Sequence, residues 1–188
     1  MPGQLSFFES RPTTPEGFKY QSDMLTEEAE TVLLEEIKSL PFRDFEFHGF
    51  TGKRRVVSFG WQYDFNERLL LKAEDIPSFL LPLRELAASF GGLEQETLRH
   101  VLVTEYGEGA AIGWHRDKGV FGEVVGVSLL AACVFRLRRK AGEKWERVSI
   151  TAERRSMYLL SGPSRTEWEH SIPPVDALRY SVTFRVLH

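Results

Sequence analysis

The chain has 188 residues and a formal net charge of −3, and 42% of its residues are apolar while 27% are charged. This composition is typical of one soluble globular domain rather than a disordered or fibrous protein. The longest apolar run, residues 124–135, is too short for a bilayer span of roughly 20 residues, so we expect no membrane segment. The single cysteine, Cys133, excludes an internal disulfide. With no secretory pattern at the start, we expect a cytoplasmic monomer.

The charges are unevenly distributed along the chain. Residues 1–97 contain seven more Asp and Glu than Lys and Arg, whereas residues 98–188 contain four more Lys and Arg than Asp and Glu. A basic half is compatible with an anionic partner, but a solvated basic face accounts for it better. Charge alone therefore does not indicate a nucleic-acid-binding protein.

The first half of the chain predicts two helices. Residues 1–19 contain three prolines among small and polar residues and are expected to form an extended arm. Thr26 is a candidate N-cap for a helix that has acidic residues in its first turn and ends at Pro41. A second helix is predicted within residues 77–90, where the glycine pair that follows provides a stop signal.

From residue 98 onward, the sequence changes to short segments rich in β-branched and aromatic residues, separated by turn residues. About eight strands after two helices favour a mainly β, α+β fold, with a jelly roll or barrel and the helices outside it. The predicted strands are 98–106, 124–130, 133–137, 147–150, 157–160 and 179–187.

Two histidines and one aspartate have the spacing of a metal site. His115 and Asp117 are two residues apart, so on an extended segment their side chains point to the same face. His170 follows 55 residues later, at the predicted end of another strand. Two histidines and a carboxylate form the facial triad of non-haem Fe(II) oxygenases, which leaves coordination positions open. Taken alone, the pattern is weak, because core or surface roles for histidines are more common.

The C-terminal strand places two arginines on one face. Arg179, Ser181, Thr183 and Arg185 alternate with apolar residues. If the apolar face packs on the core, both guanidinium groups point inward, where an anion such as a dicarboxylate must offset the burial of their charge. Exposure of both arginines on an edge strand is the alternative. The His-x-Asp and distal His upstream favour the buried arrangement.

The ordered set of these motifs resembles the AlkB family of Fe(II)- and 2-oxoglutarate-dependent dioxygenases. The resemblance covers about half of the chain, and its specificity lies in the set rather than in any one motif. The matching segments are Tyr-Gly-Glu-Gly at 106–109, His-x-Asp at 115–117, Val-Ser-Leu-Leu at 127–130, Ser-Arg at 164–165, His170, and the strand 179–185. Upstream, Ser-Phe-Gly-Trp-Gln-Tyr at 58–63 loosely resembles an aromatic element of the substrate lid.

The resemblance implies a double-stranded β-helix (jelly-roll) core buttressed by two N-terminal helices. Within one domain, residues 1–97 would supply the helices and the substrate lid, and residues 98–188 the catalytic core. It also implies Fe(II), the cosubstrate 2-oxoglutarate and O2, with His115, Asp117 and His170 as the catalytic iron ligands.

Five further residues are implied as cosubstrate contacts. Arg179 would bind the distal carboxylate of 2-oxoglutarate, with Tyr106 hydrogen-bonding nearby. Arg185 would lie close to the metal-bound end, with Ser181 between the two arginines. Thr104 stands where many members have an Asn that contacts the cosubstrate, and its hydroxyl can still donate a hydrogen bond.

The residues that would contact the substrate match the family less well. Trp61 and Tyr63 are candidates for stacking on a flipped base, and strand packing is the alternative. Arg165 is a candidate for contacting the substrate or orienting a ligand. DNA-repair members of the family have an acidic residue soon after the ligand aspartate, and this acidic residue helps to hold the base. In this sequence Lys118 comes directly after Asp117.

The implied reaction is oxidative demethylation of alkylated nucleobases in single-stranded DNA or RNA. A hydroxylase or demethylase of protein side chains is one alternative, and a non-catalytic sensor that binds metal and 2-oxoglutarate is another. The basic segment formed by Arg136 and residues 138–140 is either a phosphate contact or a solvated turn. His48 and His100 have no partner in the sequence and are expected to be structural.

Overall fold

The computed structural model describes residues 14–47 and 50–188 of the chain. Most of the predicted N-terminal arm, and His48, lie outside the described residues. Across these two ranges, no helix is both long enough and apolar enough to span a membrane.

Both predicted helices form, with the expected Thr26 at the start of the first and the expected glycine at the end of the second, but the first ends at Lys38, before Pro41. The hydroxyl of Thr26 accepts a hydrogen bond from the backbone N–H of Ala29 at 3.1 Å, as an N-cap does. The second helix ends where Gly92 adopts a left-handed φ of 65°, which costs glycine little. The helices are α1 (Glu27–Lys38), α2 (Leu81–Gly91) and α3 (Gly162–Thr166), with 3₁₀ turns at Ser78–Leu80 and Gln95–Thr97.

The described part of the chain contains thirteen strands, more than the sequence predicts. Most of the additional strands lie in the N-terminal half, where charged residues in the strands weaken the alternation of apolar and polar positions. The strands are β1 (Phe18–Gln21), β2 (Arg43–Phe47), β3 (Phe50–Phe59), β4 (Trp61–Asp64), β5 (Leu69–Lys72), β6 (Leu98–Tyr106), β7 (Ile112–His115), β8 (Val124–Leu129), β9 (Cys133–Ala141), β10 (Lys144–Ala152), β11 (Ser156–Leu160), β12 (Glu169–Ile172) and β13 (Arg179–Val186).

These strands form two facing sheets and one separate hairpin. The larger sheet has the order β1-β11-β8-β13-β6-β3-β2, the smaller sheet has the order β10-β9-β12-β7, and β4 pairs with β5. Strands far apart in the chain are neighbours, as where β8 lies between β11 and β13, which is the connectivity of a jelly roll. The predicted jelly-roll core with two N-terminal helices is therefore confirmed.

The two faces of strand β13 contact different layers of the core. Tyr180, Val182 and Phe184 are buried in the apolar cluster that the larger sheet forms with α1 and α2. Arg179 and Thr183 are also buried, and they point to the opposite face because successive side chains of a strand alternate. That opposite face is the interior of the jelly roll, so the predicted separation of apolar and polar residues is confirmed.

The N-terminal half supplies strands as well as helices. Strand β1 pairs with β11 at one edge of the larger sheet, and β3 pairs with β6 near the other edge. Strand β2 completes that edge by pairing with β3. The division of one domain at residue 97 stays a prediction.

Candidate active site

Three side chains meet on the inner face of the smaller sheet. His115 ends β7 and His170 lies on β12, and the two residues are directly opposite each other in this antiparallel pair. Oδ1 of Asp117 lies 3.5 Å from Nε2 of His115 and 4.0 Å from Nε2 of His170. One ligand atom from each residue lies within 4.8 Å of the others. The structure thus brings together the three predicted metal ligands.

A hydrogen bond on one histidine and burial of the other prepare both imidazoles to act as ligands. Nδ1 of His115 lies 2.9 Å from the carbonyl oxygen of Gly113, and donation to that oxygen leaves Nε2 free to bind a metal ion. Burial lowers the pKa of His170 to about 3, so its ring is uncharged at neutral pH.

The candidate ligand Asp117 is ionised and fixed by an arginine. Burial raises the pKa of Asp117, but Arg185, His115 and His170 together hold it well below its usual value. Nε of Arg185 donates to Oδ2 of Asp117 at 2.7 Å, which leaves Oδ1 for a metal ion. Two imidazoles and one ionised carboxylate are the donor set that non-haem Fe(II) prefers, so these residues fit the predicted metal.

His100 takes part in this network, although the sequence suggested only a structural role. Its Nδ1 lies 3.4 Å from Nη1 of Arg185, and its ring packs against Phe121 with centroids 4.7 Å apart. Burial and the nearby Arg185 lower the pKa of His100 well below its usual value. The neutral ring can therefore accept a hydrogen bond from the arginine.

A buried arginine elsewhere in the jelly roll has an unpaired donor. Arg179 is 1% exposed, its Nε and Nη2 donate to Oγ of Ser128 at 3.2 and 3.1 Å, and its guanidinium lies 4.7 Å from the ring centroid of Tyr106. Its Nη1 is buried and has no hydrogen-bond partner among the described residues. Because an unpaired buried charge is costly, a carboxylate at Nη1 would stabilise this arrangement. These residues fit the predicted anchoring of 2-oxoglutarate.

The two smaller cosubstrate candidates lie between the arginines. Thr104 on β6 and Ser181 on β13 are directly opposite each other, and both are buried. Thr104 lines the same cavity as the metal-ligand triad. Ser181 is also opposite Ser128 of β8, the residue that receives the guanidinium of Arg179.

Tyr158 adds a hydroxyl that the sequence analysis did not identify. It lies on β11 directly opposite Gly126, and its ring and hydroxyl fill the space where a Cβ at that glycine would lie. Tyr158 lines the same cavity as Tyr106, and its hydroxyl has no hydrogen-bond partner among the described residues. Burial raises the pKa of Tyr158, so the group is a protonated donor. The sequence signal that could have pointed to this contact is Gly126, a glycine inside an apolar strand, because such a glycine often marks a close approach by another group.

The triad opens into a cavity of about 1330 Å³ with an aromatic wall. The ring of Tyr63 contacts Phe65 and Phe121 edge-on, with centroids 5.1 and 6.5 Å apart. Phe65 also contacts Phe45 edge-on at 6.1 Å, and the guanidinium of Arg54 lies 4.0 Å from the Phe45 ring centroid. Rings in this arrangement can contact a planar heterocycle by stacking or by their edges.

The two aromatic candidates on β4 have different surroundings. Tyr63 lines the cavity, whereas Trp61 is not among its lining residues. The Trp61 ring instead lies 5.6 Å from the guanidinium of Arg99. Strand packing, the alternative considered for this pair, therefore describes Trp61.

Arg165 holds the loop that follows the ligand aspartate. Its Nη2 donates to the carbonyl oxygens of Lys118 and Phe121 at 2.8 and 2.7 Å, and its Nε donates to that of Gly122 at 2.8 Å. Arg165 does not line the cavity of the triad. The structure thus gives it an orienting role, and no direct contact with the cavity.

Two of the four basic residues in the basic segment of β9 are paired with carboxylates. Arg138 forms an ion pair with Glu169 at 2.6 Å, and Arg139 forms ion pairs with Glu146 and Glu167 at 2.8 and 2.7 Å. Partial neutralisation weakens the case for a phosphate contact at these two positions. These ion pairs favour the alternative interpretation of this segment, a solvated surface.

Comparisons with known proteins place the chain in a family. A family model described as the 2OG-Fe(II) oxygenase superfamily matches residues 18–185. A curated relative, the Alkylated DNA repair protein ALKBH8 homolog of Arabidopsis thaliana, is 28% identical over 145 residues, which cover 64% of this chain and 42% of the relative. The chain therefore spans less than half the length of that relative.

Two solved structures share the fold. The structure of OsALKBH1 superposes with a TM-score of 0.69 at 17% identity, covering 94% of this chain and 99% of that chain. A prolyl hydroxylase from Trichoplax adhaerens, solved in complex with a hypoxia inducible factor oxygen degradation domain peptide fragment, has a TM-score of 0.64 at 16% identity and covers 91% and 83%. Both likenesses agree with the jelly-roll architecture.

The predicted resemblance to AlkB-like oxygenases is confirmed by the family model and the Arabidopsis relative. The cofactors of this family are Fe(II), 2-oxoglutarate and O2, as the sequence analysis expected. Because the family model matches almost the whole chain, the protein belongs to the 2OG-Fe(II) oxygenase superfamily.

Proposed function

We propose that this protein is an Fe(II)- and 2-oxoglutarate-dependent dioxygenase that oxidatively demethylates alkylated nucleobases in DNA or RNA. One combination inside the jelly roll carries the proposal. The ligand atoms of His115, Asp117 and His170 lie within 4.8 Å of one another, and buried Arg179 has an Nη1 with no partner among the described residues. The triad suits Fe(II), and the arginine suits the distal carboxylate of a dicarboxylate.

The residues of the chain position the reactants. His115, Asp117 and His170 would hold the iron, and Arg179 would hold the far end of 2-oxoglutarate. Bound Fe(II) supplies the chemistry by which dioxygen oxidises 2-oxoglutarate to succinate and carbon dioxide and hydroxylates a substrate C–H bond. Arg185 keeps the Asp117 carboxylate ionised and in place. The protein contributes orientation and the exclusion of water from the reacting carbon.

The atoms balance for an N-methyl substrate. One oxygen atom of dioxygen enters the methyl group and the other enters succinate. The hydroxymethyl group then loses its hydroxyl proton as the C–N bond breaks, which releases formaldehyde and leaves the electron pair on the ring nitrogen. The sequence motifs need supply no additional acid or base for this step.

Two observations support a nucleobase as the substrate. The cavity beside the triad is walled by Tyr63, Phe65 and Phe121, and aromatic side chains bind bases of any sequence through their π faces. The Arabidopsis relative is named as an alkylated DNA repair protein. The basic second half of the chain is compatible with a polyanion.

The experiment that tests the proposal separates oxidation of the cosubstrate from oxidation of the substrate. Fe(II) and 2-oxoglutarate are titrated into the protein without oxygen, and the visible charge-transfer band of the chelate is followed. Air is then admitted with single-stranded DNA or RNA that carries one methylated base, or with the unmodified strand as the matched control. Succinate and formaldehyde are quantified.

We expect a band, succinate, and formaldehyde that appears only with a methylated strand. Succinate without formaldehyde from any DNA or RNA strand would contradict nucleobase demethylation and would direct the search to protein side chains. No band and no succinate would contradict the dioxygenase itself and leave a binding module.

A further inference from the structure

The residue after the ligand aspartate gives the mouth of the cavity a positive charge. Nζ of Lys118 lies 5.8 Å from the ring centroid of Tyr63 and 5.7 Å from that of Phe65. Within the described ranges, no carboxylate lies within 4.0 Å of this ammonium group. Arg165 anchors the backbone beneath it by donating to the Lys118 carbonyl oxygen at 2.8 Å. The backbone at Lys118 is therefore anchored, and its exposed ammonium group lies beside the aromatic wall.

A second cation lies at the other end of the same wall. Arg54 lines the cavity, and its guanidinium lies 4.0 Å from the ring centroid of Phe45. Phe45 contacts Phe65 edge-on, and Phe65 contacts Tyr63 edge-on. Arg54 also lacks an ion pair with the carboxylates that the structure describes. The aromatic wall thus lies between two cations that have no ion pair with any carboxylate the structure describes.

The carboxylates that line the cavity do not compensate for these two charges. Asp117 is paired with Arg185 at 2.7 Å. Oδ1 of Asp64 accepts hydrogen bonds from the backbone N–H groups of Asn66 and Glu67 at 2.8 and 3.0 Å. Two further carboxylates line the cavity, Asp44 and Glu74. They are outnumbered by three further lining cations, Arg43, Lys72 and Arg116.

We propose that Lys118 makes this enzyme selective for alkylated bases that are uncharged at neutral pH, in preference to bases that alkylation makes cationic. An ammonium group beside the aromatic rings repels a cationic base and occupies the cation–π attraction that those rings would offer it. A neutral base still stacks, and a carbonyl oxygen next to its methylated nitrogen can accept a hydrogen bond from Lys118. The inference rests on the proposed function and names its substrate class.

The test uses two strands that differ in one base. One strand carries 1-methyladenine, which is cationic at neutral pH, and the other carries 1-methylguanine, which is neutral and has a carbonyl oxygen beside the methylated nitrogen. The phosphate charges are identical, so the salt-dependent attraction of the backbone cancels in the comparison. The ratio of kcat/KM for formaldehyde release from the two strands is measured in the wild type, in Lys118→Glu and in Lys72→Glu.

The ratio is taken within one variant, so differences in the amount of active protein cancel. We expect the wild type to favour 1-methylguanine, and Lys118→Glu to shift the ratio about a hundredfold toward 1-methyladenine, because a repulsion worth about tenfold becomes an attraction. Lys72 lines the same cavity from β5, but within the described residues it is Lys118 whose ammonium lies over the Tyr63 and Phe65 rings, so Lys72→Glu makes the same change of charge without touching that contact. We expect that control to shift the ratio less than about threefold. Affinities of the iron-free protein, measured by fluorescence anisotropy, should follow the same order.

Three results would overturn the inference while leaving demethylation intact. These are a wild-type preference for 1-methyladenine, a ratio that Lys118→Glu does not change, and an equal shift in Lys72→Glu. Succinate without formaldehyde from either strand would overturn the proposed function, and this inference with it.

Discussion

Arg185 donates from Nε to Oδ2 of Asp117 at 2.7 Å, although the two residues are 68 positions apart in the chain. The contact leaves the other oxygen, Oδ1, facing Nε2 of both His115 and His170 at 3.5 and 4.0 Å. The arginine therefore determines which oxygen of the carboxylate is available to a metal ion. It also helps to keep the carboxylate ionised in a buried position.

Arg185→Gln should weaken metal binding. The change removes both the positive charge and the Nε–H donor that orients Asp117, and losing a partner that orients a ligand lowers metal affinity about 10–100-fold. Titration calorimetry with Mn(II), which is stable in air, measures the affinity. Arg147→Gln on the exposed face of β10 is the matched control and should leave the affinity unchanged. Equal affinities in the two variants would contradict the role given to Arg185.

Arg179→Gln should separate cosubstrate binding from stability. We expect the 2-oxoglutarate dissociation constant, followed by the anaerobic charge-transfer band, to rise about 100-fold, because a buried charge-assisted hydrogen bond is worth roughly 1.5–3 kcal/mol. The free energy of unfolding of the cosubstrate-free protein should change by less than about 1 kcal/mol, since the wild type buries a guanidinium with one unpaired nitrogen. An unchanged dissociation constant would mean that another residue anchors the carboxylate.

Tyr158→Phe should weaken 2-oxoglutarate binding without disturbing the fold. Tyr158 lines the cavity and its hydroxyl has no protein partner in the described residues, and a neutral hydrogen bond to the cosubstrate contributes about 1 kcal/mol, or roughly fivefold. The same anaerobic titration measures the effect. Gly126→Ala is the steric counterpart: its added methyl meets the Tyr158 ring and should reduce stability by about 1–3 kcal/mol. Identical dissociation constants for the wild type and Tyr158→Phe would remove Tyr158 from the site.

The iron-free protein should lose stability as the pH falls below about 6.5, the usual pKa of histidine. Burial lowers the pKa of His170 to about 3 and that of His100 well below its usual value. Between the usual pKa of histidine and the lowered pKa values of these two residues, the unfolded chain binds more protons than the folded protein. The free energy of unfolding therefore decreases with decreasing pH. The expected loss from about pH 7 to about pH 5.5 is about 1 kcal/mol per histidine.

Urea unfolding at the two pH values measures this loss. His100→Asn keeps an acceptor for Arg185 but removes one titrating group, so its pH dependence should be about half that of the wild type. A wild-type stability that does not change over this range would show that the imidazoles are protonated in the folded protein.

Arg165→Ala should loosen the loop between residues 118 and 122. The change removes three hydrogen bonds to backbone carbonyl oxygens, which corresponds to roughly 2–4 kcal/mol of stability. We expect a lower unfolding free energy and faster proteolysis in this loop, with little change in 2-oxoglutarate affinity. Unchanged stability combined with a higher KM for the nucleic acid would instead indicate a direct contact between Arg165 and the substrate.

Local features of the sequence predict the helices and most strands of the second half of the chain. Thr26 caps the start of α1 with its side chain, and Gly92 caps the end of α2 with its backbone N–H. Both caps depend only on near neighbours in the sequence. Alternation in residues 179–185 likewise separates polar from apolar side chains. The strands β2 and β3 were missed because their charged residues hide this alternation; in the fold β3 pairs with β6, and β2 pairs with β3.

The triad could be predicted because spacing and residue type restrict it strongly. His115 and Asp117 must share a face on an extended segment, and the order of the surrounding motifs identifies the distal His170. His100 could not be recognised in this way. Its part in the network depends on β6 lying beside β13, which places it directly opposite Arg185.

The sequence by itself predicted the jelly-roll class, the triad that suits a metal ion and the arginine that suits a dicarboxylate, because each prediction depends on local periodicity, motif spacing and motif order. Only the tertiary structure decided that Arg185 fixes Asp117, that Tyr158 lies over Gly126, and that Lys118 lies beside the aromatic wall. These contacts depend on strand register and on loops held by distant residues. A shift of one residue in register would turn every side chain of a strand to the opposite face.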